Sequence, residues 1–111
     1  MTWLLRGEDV LATAEVADGL ADRTKGLLGR TSFEGAMVLP RTRSVHSFGV
    51  RFPLDVAFLD KEMKVLSMVR LSKWRITMPR MRASQVIEAK AGSFDRWGLH
   101  LGDQLEFRPT P

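Results

Sequence analysis

The feature that most constrains the fold is a strict alternation of apolar residues in the middle of the chain. In FPLDVAFLD, which begins at Phe52, every second side chain as far as Phe58 is large and apolar. An extended strand places such residues on one face, whereas a helix would scatter them around its axis. A short polar connection, DKE at 60–62, leads into a second apolar run, MKVLSMVRL at 63–71. Two such runs joined by a tight turn predict a β-hairpin.

Shorter runs of the same kind recur along the chain and are separated by turn-forming residues. The other candidate strands are TWLLR, VLATAEVAD, AMVLP, QVIEA and LGDQLEFRP. A short helix is predicted near residues 20–29, and a helical turn in SFDRWGL at 93–99, for which Ser93 is the expected N-cap. Seven or eight short strands with turn signals between them predict a mainly β fold, a single-domain sandwich or barrel over residues 1–111.

The alternation also predicts which side chains share a face. The expected sets are Phe52, Leu54, Val56 and Phe58 in the first hairpin strand, Met63, Val65, Val69 and Leu71 in the second, Val10, Ala12, Ala14 and Val16 near the N-terminus, and Leu105 with Phe107 near the C-terminus. The other face of the first hairpin strand places Asp55 among Pro53, Ala57 and Leu59. A carboxylate in such a position must be paired or heavily hydrogen-bonded.

Composition excludes several classes of protein. The chain has no cysteine, which rules out a disulfide scaffold, a thiolate zinc site and a cysteine nucleophile. In the N-terminal MTWLLRGEDV the apolar run is too short for the core of a signal peptide. No run in the chain approaches the roughly 20 apolar residues of a membrane helix. No phosphate-binding loop, dinucleotide fingerprint or serine elbow is present. We therefore expect a cytoplasmic domain with no cofactor and no membrane partner.

Several segments in a fixed order resemble a known family. They are RTKGLLGR at 23–30, Gly35 with Met37, FPLDVAFLD at 52–60 and VIEAKAGSFDRWGLHLGDQLEF at 86–107. Together they are similar to the prokaryotic family called domain of unknown function 192, from about Ala14 to Phe107. The resemblance implies a compact, jelly-roll-like or barrel-like β fold and no established activity. Many family members carry an aromatic residue where this chain has His46, so the resemblance implies no obligatory catalytic role for that histidine.

Three residues are candidates for catalysis, each with a structural alternative. His46 lies in a loop and could act as an acid or base, while Asp55 and Glu88 are acids inside apolar strands. A metal site built on His46 and Asp55 would need a further ligand, from Glu88, Asp95, His100 or Asp103. The structural alternative is that each acid forms its own ion pair or hydrogen bonds, which is the commoner case. A hydrolase-like or metal-assisted enzyme would use His46 and Asp55, with Glu88 as an optional third group, and convergence of the three on one pocket would favour it.

A cluster of basic residues predicts a binding site instead. The chain carries 17 Lys and Arg against 13 Asp and Glu, a formal charge of +4. Basic residues concentrate in two loops, at 41–52 and 73–82, and the candidates for ligand binding are Arg41, Arg43, His46, Arg51, Lys73 and Arg75. We expect a non-enzymatic binding or accessory module for a small anionic ligand or a protein partner, with its site where the two loops meet. Binding of nucleic acid through the same loops is a less favoured alternative, because no recognised nucleic-acid motif is present.

Overall fold

The structure, a computed structural model, describes residues 2–17 and 33–110, so the helix predicted near 20–29 lies outside the described residues. The described part contains seven strands and a five-residue helix. They are β1 (Thr2–Arg6), β2 (Asp9–Val16), β3 (Ala36–Pro40), β4 (Leu54–Leu59), β5 (Val65–Leu71), β6 (Gln85–Lys90), α1 (Ser93–Trp97) and β7 (Glu106–Pro109). In this part of the chain no helix is both long enough and apolar enough to span a membrane.

All seven strands belong to one sheet, in the order β5-β4-β6-β3-β2-β1-β7. Every neighbouring pair is antiparallel except β2 with β3. The sheet curls so that its two edges come together near the starts of β5 and β7. There the Val65 N–H donates to the Asp103 carbonyl oxygen (2.9 Å), and the Leu105 N–H donates to the Met63 carbonyl oxygen (3.0 Å). The result is a partly open barrel, and the predicted mainly β fold is confirmed.

Strand β4 is buried along its whole length because β5 and β6 pair with it on either side. Its alternate residues face opposite sides of the sheet, as the sequence predicted, and they enter two separate cores. The barrel core lies on the face of Ala57 and Leu59 and is completed by Phe94 of α1. The loop-side core lies on the opposite face, where Val56 and Phe58 pack beneath the segment that contains Val45, Val50 and Phe52. The outer face of the sheet thus anchors the first basic loop.

Two of the predicted faces are wrong, and a register shift lies in each of the strands concerned. The β4–β5 register shifts between Phe58 and Leu59, so Val65 packs in the barrel core while Val69 and Leu71 belong to the loop-side core. A similar shift between β1 and β2 separates Val10, which is 49% exposed, from Ala12 and Ala14. Val16 lies beyond the shift with Ala14 and is 48% exposed for another reason. A bulge inserts one extra residue, and every side chain beyond it changes face. Leu105, just before β7, belongs to the barrel core and Phe107 of β7 packs against it, as predicted.

Candidate functional site

Asp55 is buried on the barrel side of β4, with 4% of its surface exposed. Its Oδ2 accepts hydrogen bonds from the backbone N–H groups of Gly92 (2.9 Å) and Phe94 (3.0 Å). Its Oδ1 accepts a third from Nε of Arg70 (3.2 Å), the residue directly opposite on β5. The carboxylate is therefore paired with a cross-strand arginine and hydrogen-bonded to backbone N–H groups, as its position in the sequence required. These bonds tie the start of α1 to the middle of the sheet.

The same contacts correct the prediction that Ser93 caps the short helix. The N-cap residue is Gly92, in a left-handed conformation at φ 98°, and it has no side chain that could accept a bond. Ser93 is buried inside the first turn, where its Oγ accepts a bond from Nη2 of Arg96 (3.1 Å). The Asp55 carboxylate of β4 takes the place of a capping side chain: it accepts from the Phe94 N–H, as an ordinary N-cap side chain would, and also from the N–H of Gly92 itself.

Glu88 lies on the other side of the sheet from Asp55. On β6 it pairs with Met37 of β3 on one side and with Val56 of β4 on the other, and both of these residues belong to the loop-side core. Only 3% of its surface is exposed, and burial raises the pKa of the Glu88 carboxyl to about 7. The two acids of the predicted catalytic set therefore face opposite ways.

His46 is half-buried, and its Nδ1 accepts a hydrogen bond from the backbone N–H of Phe48 (3.1 Å). Across residues 2–17 and 33–110, no three or more His, Asp or Glu side chains come together in a way that could hold a metal ion. Asp103, one of the suggested extra ligands, accepts bonds from the His100 N–H and from Arg6 at a turn. The structure thus does not gather His46, Asp55 and Glu88 into one pocket.

The two basic loops, by contrast, lie against each other. We call residues 41–52 and 73–82 together the loop junction. Backbone N–H groups of Ser47, Thr77 and Arg80 donate to carbonyl oxygens of the opposite loop at 2.8–2.9 Å. His46 and Ile76 form an antiparallel bridge between them. The meeting of the loops that the sequence predicted is therefore present, and the junction is held by regular backbone bonding.

Two buried hydroxyl groups lock this arrangement, and neither was predicted from the sequence. Ser47 Oγ donates to the Ser72 carbonyl oxygen (2.5 Å) and accepts from the Arg75 N–H (2.9 Å). Thr77 Oγ1 accepts from the Val45 N–H (3.0 Å). Both residues are buried in a segment whose basic side chains are mostly exposed. Serine and threonine are common in loops, so the sequence carries no signal that singles these two out.

The charge of the loop junction is one-sided. It contains seven Lys and Arg residues and no Asp or Glu, while the rest of the chain carries ten Lys and Arg against 13 Asp and Glu. One shallow cavity of about 410 Å³ is lined by Gly49, Val50, Arg51, Lys73 and Trp74. A second, of about 390 Å³, is lined by Arg41, Arg43, Ala83 and Ser84. Four of the predicted ligand-binding residues thus line cavities, and Arg75 is exposed beside them.

Large apolar side chains project from the same surface. Those exposed are Phe48, Trp74, Ile76, Met78 and Met81. The rings of His46 and Phe48 are stacked at 5.2 Å between centroids, and those of Phe48 and Trp74 at 6.0 Å. Trp74 has φ 61°, in the left-handed region that bulky residues rarely adopt. The junction therefore combines positive charge with uncovered apolar surface.

Comparisons with known proteins agree with this fold. A UPF0127 protein of Pyrococcus furiosus is 30% identical over 107 residues, which cover 92% of each chain. The crystal structure of a protein of unknown function from Novosphingobium aromaticivorans superposes with a TM-score of 0.75 at 25% identity, over 86% of this chain and 74% of that one. The crystal structure of a "putative transcription regulator" from Sinorhizobium meliloti superposes with a TM-score of 0.79 at 23% identity, over 96% of this chain and 91% of that one.

The family resemblance seen in the sequence is confirmed over nearly the whole chain. The model of the DUF192 family, described as "Uncharacterized ACR", matches residues 3–107. The chain therefore belongs to the DUF192 family of uncharacterised proteins.

Proposed function

We propose that this chain is a non-enzymatic binding module and that the loop junction binds an anionic partner. The observation that carries the proposal is the one-sided charge: seven basic residues and no acidic residue in 22 positions, on a chain whose remainder has an excess of acids. Like charges held side by side repel one another, and they are relieved by an anion that binds between them. The buried Ser47 and Thr77 hydroxyls hold the loops together before any partner arrives.

The shape of the surface favours binding of a larger partner that carries an anionic group over binding of a small molecule enclosed in a pocket. Sites for small molecules are usually concave and cover most of the ligand. Here both basic cavities are shallow and open, and apolar side chains stand out from the surface beside them. A catalytic role has less support, because three hydrogen bonds already engage Asp55 and Glu88 faces the other side of the sheet.

Single-stranded nucleic acid is a second candidate. The observation in its favour is Trp74, an exposed ring among cations, which is the arrangement on which bases stack. The Sinorhizobium meliloti protein, which shares the fold at 23% identity, is described as a "putative transcription regulator". Both candidates place the anion at the same loops.

The proposal is tested by NMR titration of the ¹⁵N-labelled chain with three anionic probes: poly-glutamate, inorganic phosphate and a 12-nucleotide oligothymidine. We expect at least one to shift amide signals of 41–52 and 73–82, and raised salt to weaken the effect. The double charge reversal Arg51→Glu with Lys73→Glu should abolish it. The matched control, Lys61→Glu with Lys90→Glu, changes two exposed lysines outside the junction and should preserve it. Equal responses from both variants would refute the proposal.

A further inference from the structure

Resting on this proposed function, we infer that the partner of the loop junction is a protein segment in which acidic residues alternate with large apolar ones, and that Trp74 anchors it. Charge alone does not define such a partner. The inference depends on where apolar side chains are exposed, on the backbone conformation of Trp74 and on how the aromatic rings stack.

Exposed apolar surface is concentrated at the junction. Of the eight large apolar side chains exposed in the described part of the chain, five belong to it. Ile76, Met78 and Met81 are 65%, 74% and 70% exposed, so none of them serves the core. Contiguous apolar patches with a polar surround mark interaction sites, and methionines adapt to varied partners.

Cations and apolar residues alternate along the second loop. The order is Lys73-Trp74-Arg75-Ile76, followed after Thr77-Met78-Pro79 by Arg80-Met81-Arg82. A complementary segment must present negative charge and apolar surface at similarly short intervals. A purely acidic segment would neutralise the cations and leave the apolar side chains in water. A purely apolar segment would cover those side chains and leave the cations unpaired.

Trp74 is held in a conformation that its side chain disfavours. At φ 61° its Cβ crowds the neighbouring backbone, and glycine or asparagine would fit this position without that penalty. Burial does not compensate, because 64% of the residue is exposed and its described ring contact is the stack on Phe48. Strain of this kind persists at binding sites, where the side chain is needed for a partner. Tryptophan is also the residue most enriched among interface hot spots.

The ring stack argues for a protein segment over nucleic acid. The Phe48 ring stacks on the rings of both His46 and Trp74, so the aromatic rings of the junction pack on one another. The exposed aromatic side chains there are Phe48 at 42% and Trp74 at 64%, which suits one or two bases and not a longer run of bases. Ile76, Met78 and Met81 offer no stacking face to a base, whereas leucine or aromatic side chains of a protein would pack against them.

The experiment compares three labelled probes by fluorescence anisotropy. The first is a 12-residue peptide that repeats Glu-Glu-Leu-Trp three times. The second is its charge-matched control, which repeats Glu-Glu-Ser-Gly. The third is a 12-nucleotide oligothymidine. We expect the first peptide to bind at least tenfold more tightly than the second, since only the first covers the exposed apolar side chains.

Trp74→Gly should remove most of this difference. It deletes the ring and suits the positive φ, so the first peptide should lose on the order of tenfold in affinity. The second peptide should bind as before, and the melting temperature of the variant should equal or exceed that of the unmodified chain. The matched control is Leu101→Ala, which truncates another apolar residue with 63% exposure outside the junction and should leave both affinities unchanged. Should Trp74→Gly melt lower, Ile76→Ser with Met78→Ser takes its place, with the same preferential loss for the first peptide.

The outcomes separate this inference from the proposed function. Equal affinities for the two peptides would overturn the inference and leave an anion-binding junction intact. Tighter binding of the oligothymidine than of the first peptide would show that the partner class is wrong. If none of the three anionic probes binds at the junction, the proposed function itself fails.

Discussion

Replacing Glu88 with glutamine should remove a pH dependence of stability that the structure assigns to one buried carboxyl. Glu88 lies between Met37 and Val56, and burial raises its pKa from 4.5 to about 7. Between these two values the folded chain keeps the proton while the unfolded chain has lost it. Since the folded state then binds more protons, stability is greatest below pH 4.5 and falls as the pH rises toward 7.

The magnitude follows from the shift. A rise of about 2.5 pH units corresponds to about 3 kcal/mol of unfolding free energy lost by pH 8, at about 1.4 kcal/mol for each unit. Asp60 and Asp103 do not obscure this, because hydrogen bonds lower the pKa of both carboxyls and their contribution is lost only in more acidic solution. A glutamine side chain at this position would have nearly the same shape and no proton to lose.

The assay is urea denaturation of both chains at pH 5, 6, 7 and 8. Between pH 5 and pH 8, we expect the free energy of unfolding of the unmodified chain to fall by about 2–3 kcal/mol more than that of the Glu88→Gln variant. Both histidines are present in both chains, so their contributions cancel in the comparison. Parallel curves for the two chains would refute the assignment of the raised pKa to Glu88.

Three further substitutions test the contacts that hold the fold and the junction. Asp55→Ala leaves two backbone N–H groups at the start of α1 without their acceptor and should cost about 3–5 kcal/mol in urea denaturation. Its control, Arg70→Ala, removes a 57% exposed partner and should cost less than about 1 kcal/mol; equal losses would contradict this account of Asp55. Ser47→Ala should cost about 1–3 kcal/mol and speed hydrogen exchange of the junction amides, and unchanged exchange would count against its role. Gly35→Ala should cost about 1–3 kcal/mol by thermal melting, because a Cβ there would lie 2.6 Å from the Thr13 carbonyl oxygen at φ 94°, and a neutral result would refute that close approach.

Much of the fold could be predicted because the strands carry a local signal. The alternation from Phe52 to Phe58 and the polar turn after it identify β4 without any knowledge of its neighbours. The faces of β2 and β5 could not be predicted in the same way. A bulge depends on how a strand pairs with its partner, and the position of the extra residue leaves no mark on the apolar pattern.

The candidate site was predictable in its residues and not in its geometry. The basic residues of both loops are visible in the sequence, and so is the anomaly of an acid in β4. The contacts of Asp55 with Gly92 and Phe94 are not visible, because they join positions 37 and 39 residues apart. The role of Ser47 was not predictable for the same reason, because its hydroxyl bonds to Ser72 and Arg75 form only when distant segments of the chain fold together.

Positive charge at the loop junction should select an anionic partner, and reversing that charge is the direct check. The triple variant Arg51→Glu, Lys73→Glu and Arg75→Glu would be titrated with the Glu-Glu-Leu-Trp peptide and with its Lys-Lys-Leu-Trp counterpart. We expect the unmodified chain to bind the acidic peptide more tightly than the basic one, and more weakly at about 200 mM salt than at about 50 mM. The variant, whose junction keeps four basic residues against three new acidic ones, should lose this preference. Unaltered preference for the acidic peptide in the triple variant would contradict this expectation.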